Sequence, residues 1–253
     1  MLVKVFVLGR PGSGKTTAIH HFTKIAHQRD FSALCMDDYS ILQQMSHEHT
    51  YRACFRATEH NGFDVLDLSV YDTALKILEQ QVQDVATTGL DGIVTIEFAR
   101  NDYWHALACF SPSFLADAYF FFIDADLKTC IQRIHKRVEN THRANNHFVS
   151  DYIMHTYYHT DNWSSMKDQL ASVYHTKKEV VTFRNTQTLA SLQTTIGTFS
   201  EHLFEREFSV CYKQCTPITL SNGGSTLAEG ATEYQTGSNT TIAPPEQELV
   251  SAR

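Results

Sequence analysis

The stretch Gly9-Arg10-Pro11-Gly12-Ser13-Gly14-Lys15-Thr16-Thr17 constrains this chain more than any other. It fits Gly-x-x-x-x-Gly-Lys-Thr, the spacing of a phosphate-binding loop. An apolar run from Leu2 to Leu8 leads in as a strand, and a helical pattern from Lys15 to about Gln28 leads out. The motif needs this strand–loop–helix context. Gly9, Gly12 and Gly14 lack a Cβ, so the loop can curl and aim successive backbone N–H groups inward. The following helix adds the positive end of its dipole. Lys15 is placed to reach the β- and γ-phosphates, Thr16 to hold Mg²⁺ through its hydroxyl, and Thr17 to reach the α-phosphate. The remaining loop residues, Arg10, Pro11 and Ser13, complete the wrap. The bland alternative is a chance glycine-rich turn before a helix.

Strand and helix patterns alternate from residue 1 to about 208, which predicts a parallel α/β sheet with helices on both faces. Polar clusters fall where such sheets bind ligands, at the carboxyl ends of strands. A short strand, Phe31 to Met36, ends in Asp37-Asp38-Tyr39. One of these carboxylates can cap the next helix while the other acts on a substrate. The strand Gly92 to Ile96 ends in Glu97, with Arg100 three residues on; a structural ion pair is the alternative to a role at the metal. The strand Ala118 to Ile123 is followed by Asp126, a candidate N-cap, and a helix from Leu127 to Val138. Arg133, Lys136 and Arg137 share one face of that helix. Arg143 lies in the polar stretch beyond, and the region about 133–150 reads as a lid or as an ordinary charged face. Segments 148–158 and 163–173 read as helices. The strand Glu179 to Phe183 precedes Arg184-Asn185-Thr186, and a final helix runs from Leu189 to about Phe208.

Residues 40–66 read as an insert over a substrate, with a short helix on Ile41, Leu42 and Met45. Arg52 and Arg56, one helical turn apart, either contact an anionic substrate or form a solvated face. His47 and His49 do not share a helical face, so His47, Glu48, His49 and His60 read against a metal cluster. Asp67 or Ser69 caps the next helix, from about Val70 to Ala86.

At 253 residues, the chain has room for one large domain with inserts. We expect that domain over 1–215 and a disordered tail over 216–253, where Ser, Thr, Gly, Asn and Glu dominate and Pro244-Pro245 breaks any regular element. The net charge of −7 argues against a dedicated nucleic-acid or anionic-membrane binder. With neither a signal-like start nor a long apolar span, the expectation is a soluble, cytoplasmic protein. The six scattered Cys read as reduced core thiols.

The order of parts resembles the P-loop kinases of the nucleoside, nucleoside-monophosphate and small-metabolite type. Met36-Asp37-Asp38-Tyr39 resembles the strand end of the uridine and pantothenate kinase group, where an Asp is the base. Glu97 with Arg100 is loosely similar to the Glu–Arg pair of deoxynucleoside kinases, whose spacing is tighter. The Arg133, Arg137 and Arg143 region resembles the lid, and Asn185 lies where such kinases approach the adenine. The resemblance covers about residues 1–208. It implies core strand order 2-3-1-4-5, ATP and Mg²⁺ as ligands, and transfer to a hydroxyl of a small molecule. In this reading Asp37 or Asp38 is the base, Thr16 and Glu97 serve the metal, and Lys15, Arg133 and Arg137 stabilise the transferred group. Two other classes stay open: an NTPase coupling hydrolysis to a partner event, and a nucleotide-binding switch without catalysis. Oligomeric state and the identity of the acceptor are open.

Overall fold

The computed structural model describes residues 1–139, 148–185 and 188–212. Strand β1 (Leu2–Leu8) runs through the loop into α1 (Lys15–His27), and β2 (Ser32–Asp37) runs directly into α2 (Asp38–His47). A small hairpin follows, β3 (Phe55–Ala57) and β4 (Phe63–Val65), and then α3 (Ser69–Thr87) and β5 (Gly92–Phe98). Two short helices, α4 (Tyr103–Ala108) and α5 (Pro112–Ala116), lead to β6 (Ala118–Asp124) and α6 (Leu127–Glu139). The rest comprises α7 (Asp151–Thr156), α8 (Trp163–Met166), α9 (Leu170–Tyr174), β7 (Val180–Arg184) and α10 (Leu189–Tyr212).

The central sheet is five-stranded, in the order β2-β5-β1-β6-β7, and all its pairings are parallel. With the hairpin strands set aside, this is the order 2-3-1-4-5 that the kinase resemblance implied. The period of two along each strand splits the core into two layers. Phe6, Leu8, Val94, Ile96, Phe98, Phe120 and Phe122 face α3, α4 and Trp163. Val3, Val5, Val7, Tyr119, Phe121 and Ile123 face α1 and α10. Rings pack within the first layer: Phe6 stacks on Phe120 at 4.9 Å, and Phe122 stacks on Trp163 at 4.7 Å. The buried Trp163 indole N–H donates to Thr182 Oγ1 at 2.9 Å, so its burial leaves no polar group unpaired. Truncating any one of these buried rings would cost ~3–5 kcal/mol. The central strands, and the loop they carry, are therefore backed by buried rings on both faces of the sheet.

Several expectations change. Residues 40–66 form α2 and the β3–β4 hairpin. Arg56 stands on a strand and pairs with Asp64 across the hairpin at 2.7 Å, so Arg52 and Arg56 do not share a helical face. His60 and Asn61 take positive φ at the hairpin turn, a geometry the alternation of apolar residues does not reveal. The expected helix over 148–158 is only Asp151–Thr156, started by Ser150, whose Oγ accepts from Ile153 N. The one over 163–173 breaks into α8 and α9 with a 3-10 turn between them. Helix α3 begins at Ser69, whose N–H donates to Asp67 Oδ1. Asp126 does precede α6, accepting from Thr129 N at 2.8 Å. Arg143 and the tail 216–253 lie outside the described residues. No described helix is long and apolar enough to cross a membrane.

Candidate nucleotide and phosphoryl-acceptor site

Gly12 and Gly14 hold the loop where no other residue fits. Their φ values are +78° and +114°; a Cβ on Gly12 would lie 2.5 Å from the Cys130 carbonyl, and one on Gly14 would lie 2.7 Å from Asn185 Nδ2. The loop is thus pressed between the start of α6 and the turn after β7. Gly14 occupies the N-cap of α1 and offers no side chain to cap it. The first-turn amides are left to an anion, with the helix dipole behind them. Thr16 and Thr17 are exposed there.

Lys15 is buried at the centre of the curl. Its Nζ donates to the carbonyls of Gly9 and Arg10 at 2.9 and 3.1 Å and stands 3.8 Å from Glu97. Burial lowers its pKa, with Glu97 opposing. Burial likewise raises the Glu97 carboxyl, which Lys15 pulls back. Asp37 is the register partner of Glu97 on the next strand, so both carboxylates leave the same face of the sheet.

The two aspartates after β2 separate cleanly. Asp37 caps α2, accepting from Ser40 N at 2.7 Å and from Ser40 Oγ on both its oxygens. Asp38 is buried and pairs with the buried Arg100 at 2.5 Å. Burial pushes the Asp38 carboxyl up, against the pull of Arg100. For Arg100, burial works against the charge but Asp38 outweighs it, so the guanidinium stays charged. Arg100 also donates to the carbonyls of Ala99 and Tyr71 and lies 4.1 Å over the Tyr71 ring. The Glu97–Arg100 pairing considered from sequence is therefore corrected. Three residues of extended chain and turn aim the two side chains apart, and Arg100 meets Asp38 while Glu97 meets Lys15.

Two basic residues also change role. Arg133 donates to the carbonyls of Gly12, Ser13 and Asn185 at 3.2–3.4 Å. It braces the outside of the loop rather than facing a transferred group. The Arg10 side chain turns away from the loop interior to the carbonyls of Tyr158 and Ala125 and to Asp161 at 2.8 Å. Only its backbone can serve a phosphate. Burial lowers the pKa of Arg137, with Glu97 and Tyr39 opposing, and Arg137 in turn acts on the charge of Lys15. Asn185 Nδ2 donates to Ser13 O at 2.6 Å, so this residue ties the turn after β7 to the loop.

The site fits the groups that the sequence implied. Ser13 Oγ is buried without a partner among the described residues. Thr16 and Glu97 supply the hard oxygen donors that suit Mg²⁺, and the uncapped helix start and Lys15 suit a polyphosphate.

The parallel sheet order and the glycine loop between β1 and α1 are those of an α/β fold with a phosphate-binding loop. No family model matches the chain, and no curated protein matches it. Among solved structures, it is similar to an unliganded sugar kinase from a Janibacter species, with 18% identity, 79% of this chain and 95% of that chain covered, and a TM-score of 0.45. It is also similar to Chaetomium thermophilum Kti12 in complex with ADP-AlF3 (12% identity, 78% and 97% covered, TM-score 0.49). A third is the Mycobacterium tuberculosis APS kinase CysC in complex with AMPPNP and APS (16% identity, 79% and 97% covered, TM-score 0.45). Likenesses of this degree assign neither activity nor substrate to this chain.

One residue at the P-loop site had no signal in the sequence. Tyr103, fully buried at the start of α4, accepts the Gly9 N–H on its Oη at 3.1 Å. The contact spans 94 positions, and a buried aromatic residue reads as core. Tyr39 was legible only as the end of the Asp-Asp-Tyr run; it stacks on Phe63 of the hairpin at 5.2 Å. Ser150 Oγ donates to Asp64 of the same hairpin at 2.7 Å. The insert is thereby fastened to the segment that starts α7.

Proposed function

We propose that this chain is an ATP-dependent kinase that moves the γ-phosphoryl group to a hydroxyl of a small molecule. One observation carries the reading. Asp37 and Glu97 leave the same face at the carboxyl ends of neighbouring strands, and Glu97 stands 3.8 Å from Lys15. Carboxylates beside the phosphate-binding lysine are what transfer to a hydroxyl needs.

The roles follow from what each side chain is free to do. Loop amides and Lys15 hold the phosphates, and Lys15 exchanges its bonds to the Gly9 and Arg10 carbonyls for phosphate oxygens. Mg²⁺, when bound, neutralises phosphate charge; Thr16 and Glu97 are the residues that would hold it. Asp37 is the base. Its carboxylate is only half-buried, and Ser40 leaves part of its lone-pair capacity unused. Asp38 holds Arg100 and cannot take a proton without leaving a buried cation unpaired. Asp37 takes the hydroxyl proton and the freed oxygen pair attacks the γ-phosphorus. The bond to the β-phosphate oxygen then breaks, and ADP leaves with that electron pair. Lys15 and Arg137 offset the charge on the transferred group.

On this reading the acceptor is a small hydroxyl compound that meets Asp37 beside Tyr39, which stacks on Phe63 of the hairpin. The test is a screen of hydroxyl metabolites, nucleosides among them, for acceptor-dependent ADP release beside a no-acceptor control. ADP release that needs an acceptor supports the kinase. Equal release without any acceptor replaces it with a hydrolytic NTPase.

A further inference from the structure

Away from the loop, α3 and α4 bring together three donors of different chemistry. The carboxylate of Asp72, the imidazole of His105 and the thiol of Cys109 place their ligand atoms within 4.8 Å of one another. His105 Nε2 is 2.9 Å from both Asp72 oxygens. Cys109 follows His105 by four positions, one helical turn on, so both side chains leave the same side of α4 and its C-cap. The cluster is held from behind. The His105 backbone N–H donates to Oδ1 of Asp102, the N-cap of α4, at 3.0 Å, and Asn162 Nδ2 donates to that same oxygen at 2.7 Å. The cluster is also open in front. The imidazole is 65% exposed, and a cleft of about 260 Å³ lined by Tyr71, Asp72, Asp102 and His105 adjoins it.

We propose that Asp72, His105 and Cys109 form a zinc site, with water as the fourth ligand, that clasps α3 to α4. The donor set selects the metal. Thiolate, imidazole and one carboxylate suit a borderline-soft cation, whereas Mg²⁺ and Ca²⁺ call for oxygen alone. Tetrahedral zinc bonds of about 2.0–2.3 Å put ligand atoms ~3.3–3.8 Å apart. The spacing of the cluster, from 2.9 Å to at most 4.8 Å, brackets that range. Burial and the adjoining Asp72 raise the Cys109 thiol above its ordinary value, with Lys76 and Arg100 opposing, so zinc binding must displace the thiol proton. The site is independent of the kinase reading. The clasp still bears on the loop: α4 begins at Tyr103, which holds Gly9, and the Tyr71 carbonyl beside Asp72 accepts from Arg100.

The experiment uses the full chain, stripped of metal and titrated with Co²⁺ without nucleotide or Mg²⁺. One equivalent should bind, with thiolate-to-cobalt charge transfer in the near ultraviolet and the visible bands of a tetrahedral ion, and Zn²⁺ should bleach both. Cys109→Ser should remove the charge-transfer band and weaken zinc binding at least about tenfold. Cys35→Ser, at the exposed thiol on β2, should change nothing. Zinc should raise the melting temperature of the wild type and not of Cys109→Ser. If Cys109→Ser fails to fold, His105→Ala, at an exposed position, serves in its place through loss of zinc affinity and of the melting shift. Absence of the band in the wild type, or its survival in Cys109→Ser, overturns the site.

Discussion

The two sides of the candidate site are built differently. The nucleotide side is a curl of backbone whose close supports are backbone carbonyls: Arg133 on Gly12 and Ser13, Asn185 on Ser13, Lys15 on Gly9 and Arg10. The proposed acceptor side is a set of side chains held by other side chains: Asp38 on Arg100, Tyr39 on Phe63, Asp64 on Arg56 and Ser150. Phosphate is the same in every nucleotide, so a fixed backbone shape suits it. Acceptors differ, and only side chains can differ with them.

The sharpest way to break this division is at Lys15. Lys15→Ala should reduce acceptor-dependent ADP release by at least ~10²–10³-fold, the cost of losing one preorganised charge at the reacting group. Near-normal turnover would remove the nucleotide side from the chemistry altogether. The adjacent aspartates should then part company. Asp37→Asn should slow turnover by ~10²–10⁴-fold, as loss of a general base does, with nucleotide affinity and melting temperature unchanged. Asp38→Asn should instead destabilise the fold by ~3–5 kcal/mol, because it strands a buried guanidinium, and thermal unfolding reads that directly. If both variants behave alike, the separation of base from anchor is wrong.

Tyr103→Phe tests whether the loop depends on a distant side chain. It leaves the Gly9 N–H without its acceptor, at a cost of ~1–3 kcal/mol, and should weaken nucleotide binding while leaving acceptor KM alone. Calorimetric titration with ADP measures it. The smallest effect is a pH limb. Burial holds Glu97 above the ordinary 4.5 of a glutamate. Its ionisation therefore lags as pH rises, and the acid limb of kcat/KM should lie above the usual carboxylate range. In the residual activity of Glu97→Gln that limb should move to lower pH.

Legibility followed the range of the interactions. The loop, its strand and its helix are contiguous, so residues 2–28 declared themselves through spacing alone. Strand identities were legible because a strand buried on both faces is an unbroken apolar run, as in 118–123. The hairpin was not, because three-residue strands carry too little alternation and its turn rests on left-handed His60 and Asn61. Arg100 and Arg133 stand on the expected elements but meet other partners than expected, Asp38 for the first and loop carbonyls for the second. A helical or strand position limits the face from which a long cationic side chain leaves. It does not say which carboxylate or carbonyl the tertiary fold brings there. Residues 140–147, with Arg143, and the tail lie outside the described residues.

By itself, then, the sequence determined a parallel α/β sheet and a loop able to hold a polyphosphate, because both depend on local pattern and on backbone geometry that glycine permits. Tertiary structure alone decided that Asp38 anchors Arg100 while Asp37 stays accessible, that Tyr103 completes the loop, and that α3 and α4 gather Asp72, His105 and Cys109. Those outcomes turn on side chains far apart in the chain meeting within a few ångströms, and the pairing is set by how helices pack on the sheet.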